Sequence, residues 1–159
     1  VTDREATIFG LALGAFGVWL MTRPREVAEG GSLWQSLLSS RISRDEATRY
    51  ATAAGFQGDA LAIVVAIAQA ESGLRPLVIA DNLTSGEASV RYRGDPPPEG
   101  VSSSDRGILQ INDRWHPEVT DDEAFDPAAA FVAGYAVSHS GSDFTPWSTY
   151  KNGAYQRFL

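Results

Sequence analysis

The spacing of apolar and polar positions changes rhythm along the chain, and each rhythm predicts a different element. From Ala6 to Thr22, ATIFGLALGAFGVWLMT, no charge interrupts the apolar run, while Arg4 and Glu5 precede it and Arg23 and Arg25 follow. The run reads as an apolar helix at the short end of what spans a bilayer, stopped by Pro24. Arg23-Pro24-Arg25-Glu26 stands where a signal peptide would carry a small-residue cleavage site, which argues against a cleaved leader. Gly10 and Gly14 form a GxxxG face on which helices approach closely, in a membrane or inside an assembly, and both settings stay open. Glu29 to Arg41, EGGSLWQSLLSSR, has the Gly and Ser content of a connector, with Leu33, Trp34, Leu37 and Leu38 at helical spacing as a short anchor. The boundary is drawn here. Residues 1–38 are read as apolar helix and linker, and 39–159 as a folded domain.

Helical rhythm then takes over. Ser43 and Glu46 make a capping-box pattern, so a helix is expected through RDEATRYATAA, ending at Gly55. A second helix is expected after Asp59 as N-cap, through ALAIVVAIAQAES to Gly73, which is placed to close it in the left-handed conformation. On that helix Ile63, Val64, Ile67 and Glu71 share a stripe, so Glu71 should point inward or into a cleft wall. The rhythm shortens at LVIA and SVRYR, two short strands joined through TSGE, followed by the stiff loop DPPPEG. SSSDRGILQIN reads as a Ser-rich loop leading to Gly107 and a packed run that presents Gln110. Asp126-Pro127 signals a further helix start, and FTPWSTYKNGAYQRFL crowds Phe144, Trp147, Tyr150 and Tyr155 at the end of the chain.

Composition narrows the classes. A chain of 159 residues that is 43% apolar accommodates one domain with a real core. Thirteen Lys and Arg against twenty Asp and Glu, a formal charge of −7, exclude the basic stripe of a nucleic-acid surface. Cysteine is absent, so there is neither a disulfide framework nor a thiolate metal site. His116 and His139 are too few for a zinc cluster and receive no role; no metal or organic cofactor is implied.

One residue carries chemistry against this background. Desolvation and the negative end of the helix macrodipole both disfavour the Glu71 anion, so its pKa should rise. A carboxyl still protonated near neutrality is what general acid catalysis of glycoside cleavage requires. The alternative is a capping or salt-bridging Glu, with Arg75 as partner. Gln110 offers an amide suited to sugar hydroxyls and acetamides, and aromatic faces such as Trp147 stack on pyranose rings when they do not simply fill a core.

The ordered set Glu-Ser-Gly, Gly-Ile-Leu-Gln-Ile, an Asp-Pro helix and a terminal Tyr-x-x-Gly resembles the soluble lytic transglycosylase family of the lysozyme-like superfamily, over roughly Arg44 to Phe158. SSDRGILQINDRWHPEV and PWSTYKNGAY look most like domains of phage tail and virion proteins, including tape-measure proteins. The resemblance implies an α+β, mainly α, lysozyme-like domain with a small β-hairpin lobe opposite the catalytic helix, here preceded by the N-terminal apolar helix. It matches Glu71 to the catalytic Glu, Gln110 and Gly107 to the family's Gln and Gly, and Tyr150 to a tyrosine lining the sugar site, with Ser104 near an upstream serine. Ala130 and Tyr150-Lys151-Asn152-Gly153 depart from the family pattern at outer contacts, not at the acid. Arg91, Tyr92 and Arg93 face either glycan or solvent.

The implied reaction is lytic transglycosylation of the bond between N-acetylmuramic acid and N-acetylglucosamine by a single Glu, leaving a 1,6-anhydromuramyl end. A muramidase hydrolysing the same bond needs a second carboxylate, for which Asp81, Asp105 and Asp113 are candidates. Asp105 either orients water or, as the favoured reading, pairs with Arg106 in a turn. A non-catalytic virion module that binds glycan, and a chain whose working part is residues 1–38, are the rivals from other classes. The implied partners are peptidoglycan glycan strands, other phage tail proteins and a membrane touched through residues 6–22, with no nucleic acid; the implied place is a virion tail acting in the bacterial envelope.

Overall fold

The computed structural model describes residues 40–159. The apolar run at 6–22, the connector up to residue 39 and the boundary drawn at residue 38 lie outside the described residues. Among the described residues, no helix is long and apolar enough to cross a membrane.

Helix α1, Arg44–Ala54, starts at a reciprocal cap: Glu46 N–H donates to Ser43 Oγ at 3.2 Å and Ser43 N–H donates to the Glu46 carboxylate at 2.8 Å. Two amide donors of the first turn are satisfied by side chains four positions of sequence apart at most, so the start is locally encoded. Helix α2, Gly58–Ser72, begins earlier than expected, with Gln57 rather than Asp59 as N-cap. Asp59 lies instead in the first turn, where its charge meets the positive end of the helix dipole. Gly73, at φ 64°, ends the helix, its N–H bonding back to Ala68 and Gln69 carbonyls. Val64, Val65, Ala66, Ile67, Ala68 and Ala70 are all buried, so α2 is covered on several sides and forms the centre of a helical layer.

Opposite the helices lies one antiparallel sheet in the order β2-β1-β3-β4. Strands β1, Val78–Leu83, and β2, Ala88–Tyr92, are the expected hairpin. The stretch expected as a Ser-rich loop is strand β3, Val101–Arg106, flanked by the two-residue β4, Ile111–Asn112. Ser and Asp are poor strand formers, and β3 exists because pairing with β1 on one side and β4 on the other overrides that preference. A further short helix, α3, Asp121–Phe125, starts at a second capping box formed by Thr120 and Glu123. Helix α4, Pro127–Val137, begins at the expected Asp126-Pro127, with Ala129 N–H donating to Asp126 Oδ1 at 2.8 Å. A single turn, α5, Ser148–Lys151, and a 3-10 turn, Ala154–Phe158, pack back on α2.

The core lies between α1, α2, α4 and the Ile108-Leu109 segment, with Phe56, Phe131, Phe144 and Trp147 among its largest members. Two glycines set its tolerances. Gly107 has φ 71°, and a Cβ there would lie 1.8 Å from the Ala124 carbonyl oxygen, so the link from β3 into the core admits no side chain. A Cβ on Gly134 would lie 2.4 Å from Leu109 Cδ1, so α4 meets the same segment with bare backbone.

Candidate active site

Sheet and helical layer meet in a groove of about 580 Å³. Glu71 at the end of α2, Trp147 before α5, Asn82 on β1, Asp105 on β3 and Gln110 with Asn112 near β4 all line it.

Glu71 is the penultimate residue of α2 and is half-buried at the groove. Its Oε1 accepts from Thr149 Oγ1 at 2.7 Å and from Thr149 N–H at 3.4 Å. Desolvation pushes its carboxyl up to about 7; the Thr149 hydroxyl opposes this by favouring the anion, and the nearby negative charge of Asp105 adds to the rise. No ion pair with Arg75 forms, and the Arg75 guanidinium donates instead to the Ser72 carbonyl at 3.3 Å. With Oε1 occupied by two donors, the proton of the neutral acid belongs on Oε2.

A prediction follows from that contact. Replacing Thr149 by Val keeps the volume and removes a bond that stabilises the Glu71 anion, so the Glu71 pKa rises further. The alkaline limb of a kcat/KM–pH profile should therefore move to higher pH in Thr149→Val and return in Thr149→Ser, whereas an unmoved limb would show that the hydroxyl does not act on the acid.

Asp105 faces the same groove from the sheet. Strand alternation puts Asp105 and Ser103 on one face of β3 and Ser104 and Arg106 on the other. Asn112, directly opposite Asp105 in the β3–β4 register, donates Nδ2 to Oδ1 at 2.8 Å, and Asn82 on β1 donates Nδ2 to Oδ2 at 3.0 Å. Burial raises the Asp105 pKa above the usual carboxylate range; the Asn112 and Asn82 amides oppose this, and the charges of Asp113 and Asp81 add to it. The turn pair expected between Asp105 and Arg106 does not form, because neighbouring strand residues point apart. Arg106 donates to Asp121 at 2.7 Å and to the Val119 carbonyl at 3.0 Å.

The other two candidate carboxylates are spent on structure. Asp81 is fully buried, held by Arg91 through bonds of 2.6 and 3.2 Å and by Ser104 Oγ at 2.6 Å. Asp113 accepts from Ser104 N–H at 2.9 Å. Of the three, Asp105 lines the groove.

Among the expected sugar-site residues, Gln110 and Trp147 line the groove, and Ser104, Gly107 and Tyr150 lie off it. Gln110 adopts φ 50°, uncommon for a residue with a Cβ, and its Nε2 donates to the carbonyls of Gly107 at 2.8 Å and Val78 at 3.2 Å. Among the described residues no donor reaches its Oε1, which remains an acceptor for a ligand. Trp147 is buried, with Nε1 donating to the Leu109 carbonyl at 2.7 Å, and forms part of the groove lining. Ser104 points to the opposite face of β3, onto Asp81, and Gly107 serves packing. Tyr150 is placed on Phe144 and Tyr155, with ring centroids 5.6 and 5.0 Å away, because the α5 turn that aims Thr149 at Glu71 directs the next side chain elsewhere. Arg91 and Arg93 are engaged by Asp81 and Asp122.

Residues that sequence reasoning passed over complete the site. Asn82, Asn112 and Thr149 orient the carboxyls, and Arg114, Trp115 and Lys151 form part of the groove wall. Trp115 is 67% exposed, with the Arg114 guanidinium 5.7 Å from its ring centroid. The readable signal was a Trp set among the polar residues of Asn112-Asp113-Arg114-Trp115-His116, three positions after Asn112; its exposure is what the structure adds. His116 bonds to Glu118 at 3.1 Å, and no cluster able to hold a metal ion occurs among the described residues.

A protein-family model described as a lysozyme-like domain matches residues 48–149, a span that holds Glu71, Asp105, Gln110 and Thr149. No curated protein and no solved structure gives a significant match to the chain.

Proposed function

The chain belongs to the lysozyme-like domain family, and on that premise we propose that it hydrolyses the β-1,4 bond between N-acetylmuramic acid and N-acetylglucosamine, with Glu71 as general acid and Asp105 as second carboxylate. Membership makes it a glycosidase directed at peptidoglycan; the identity of the product is the further step. The observation that carries the step is the pair of carboxyls facing one groove from unlike surroundings. Glu71, with a pKa of about 7, holds a proton to give, while Asp105, itself raised by burial, is held through both oxygens by amide donors that oppose that rise. Two carboxyls facing one groove from opposite walls, one of them a proton donor and the other oriented by fixed amides, are the working parts of a hydrolysing glycosidase.

The reaction then balances with these groups. Glu71 protonates the departing glucosamine oxygen as the bond to the muramyl anomeric carbon breaks. Asp105 stabilises the positive charge that develops on that carbon. Glu71, now an anion, accepts a proton from the attacking water, and the enzyme returns to its starting state with a reducing muramyl end released.

Lytic transglycosylation is the second reading, and the motif order around Glu71 and Gln110 favours it. It uses Glu71 alone, and the muramyl 6-hydroxyl replaces water. Digestion of sacculi in ¹⁸O-water followed by mass spectrometry separates the two. Hydrolysis predicts reducing muramyl ends carrying the heavy isotope, and a product pool of unlabelled 1,6-anhydro ends would overturn it. The setting proposed for the enzyme, a virion tail acting on the bacterial envelope, is supported by the likeness of SSDRGILQINDRWHPEV and PWSTYKNGAY to tail-protein domains.

A further inference from the structure

The groove carries a charge that the mechanism does not use. The chain has a formal charge of −7, and cations elsewhere on the sheet side are neutralised: Arg91 by Asp81, Arg93 by Asp122 and Arg106 by Asp121. Arg114 and Lys151 are different. Both line the groove and both are exposed, and neither side chain forms an ion pair among the described residues. Among the described residues, Arg114 rests on the Trp115 ring and Lys151 ends α5 with no acidic partner for its ammonium.

They do not serve to tune the acids. The charge that weighs on Glu71 is Asp105, and those that weigh on Asp105 are Asp113 and Asp81, all of them carboxylates. Two cations without an ion pair among the described residues, on the sheet wall and the helical wall of one binding groove, are instead placed to meet an anionic ligand. A β-1,4 chain of N-acetylglucosamine offers no anion. A muramyl chain differs from it by the lactyl ether, which carries a carboxylate when free and an acidic peptide when extended.

We propose that Arg114 and Lys151 recognise carboxylate carried on the muramyl lactyl arm, so that the groove selects anionic muramyl strands over uncharged chitin chains. The proposal rests on the reading of the groove as a peptidoglycan site and adds a basis for selectivity among β-1,4 amino-sugar chains. Binding is the suitable measurement, made in Glu71→Gln protein so that turnover does not enter. The probes are soluble glycan strands bearing stem peptides, the same strands stripped of peptide by an amidase, and chitohexaose.

The parent should bind both muramyl probes more tightly than chitohexaose. Adding Arg114→Gln and Lys151→Gln together should reduce that preference about tenfold, since exposed pairs contribute modestly and two are lost. The preference should also fade in roughly 1 M salt, where the screening length falls to about 3 Å. Loss confined to stem-bearing strands assigns the contact to peptide carboxylates, and loss that persists on stripped strands assigns it to the lactyl group. An equal loss on chitohexaose, an unchanged preference, or a parent that binds none of the probes overturns the proposal. In that last case, clearing of sacculi by the wild type shows that the groove still acts on peptidoglycan and that charge selection alone has failed.

Discussion

Glu71→Gln is expected to remove clearing of peptidoglycan in a zymogram and to lower kcat by about 10²–10⁴, the range a positioned general acid contributes. The substitution is conservative everywhere except at the proton. Gln retains the shape of the side chain, and its carbonyl oxygen can still accept the Thr149 hydroxyl that bonds Glu71 at 2.7 Å. The fold should therefore persist. Stability should even shift in favour of the variant as pH rises: a carboxyl raised from an ordinary 4.5 to about 7 stabilises the folded state below the lower value and loses that contribution as pH passes the upper one. The Tm of the wild type relative to the variant should therefore be highest below 4.5 and fall as pH rises from 4.5 through about 7. The same pKa bounds activity: Glu71 keeps its proton and is neutral below about 7, so wild-type kcat/KM should fall as pH rises through that value. Equal clearing by wild type and variant would take Glu71 out of the mechanism.

The acid was legible because it is a local anomaly. A single charge closing the run VVAIAQA, followed by Ser72-Gly73, needs no partner to be noticed, and the helix starts at Ser43 and Asp126 are likewise written in adjacent residues. What surrounds the acid was not legible, since it depends on register and distance. Thr149 reaches Glu71 across 78 positions of sequence. The amides on Asp105 come from strands on either side of it, and the stretch containing Asp105 has the composition of a loop until those strands pair with it. Tyr150 shows the converse. Motif resemblance placed it at the sugar site, one position from the residue that touches the acid, and one position on a helical turn is enough to send a ring into the Phe144–Tyr155 stack.

Asp105 yields the other large effect. Asp105→Asn removes the charge opposite the developing cation, and loss of such a preorganised group is expected to cost about 10²–10³ in kcat. Two further consequences distinguish loss of a working charge from simple damage. The Asp105 charge helps to hold the proton on Glu71, so its removal should move the alkaline limb of the kcat/KM profile below its wild-type position near 7. The acidic limb, where a raised Asp105 gains its own proton and ceases to act, should disappear. Asn at this site also turns one NH₂ toward Asn82 or Asn112, both of which donate to the carboxylate, and a donor left facing a donor in a buried site costs about 1–3 kcal/mol. A lowered Tm is therefore expected and does not by itself count against the role; the profile does. A single-acid transglycosylase has no need of the Asp105 charge. Retention of most of the wild-type rate by folded Asp105→Asn, with anhydro ends among its products, would return the chemistry to Glu71 alone.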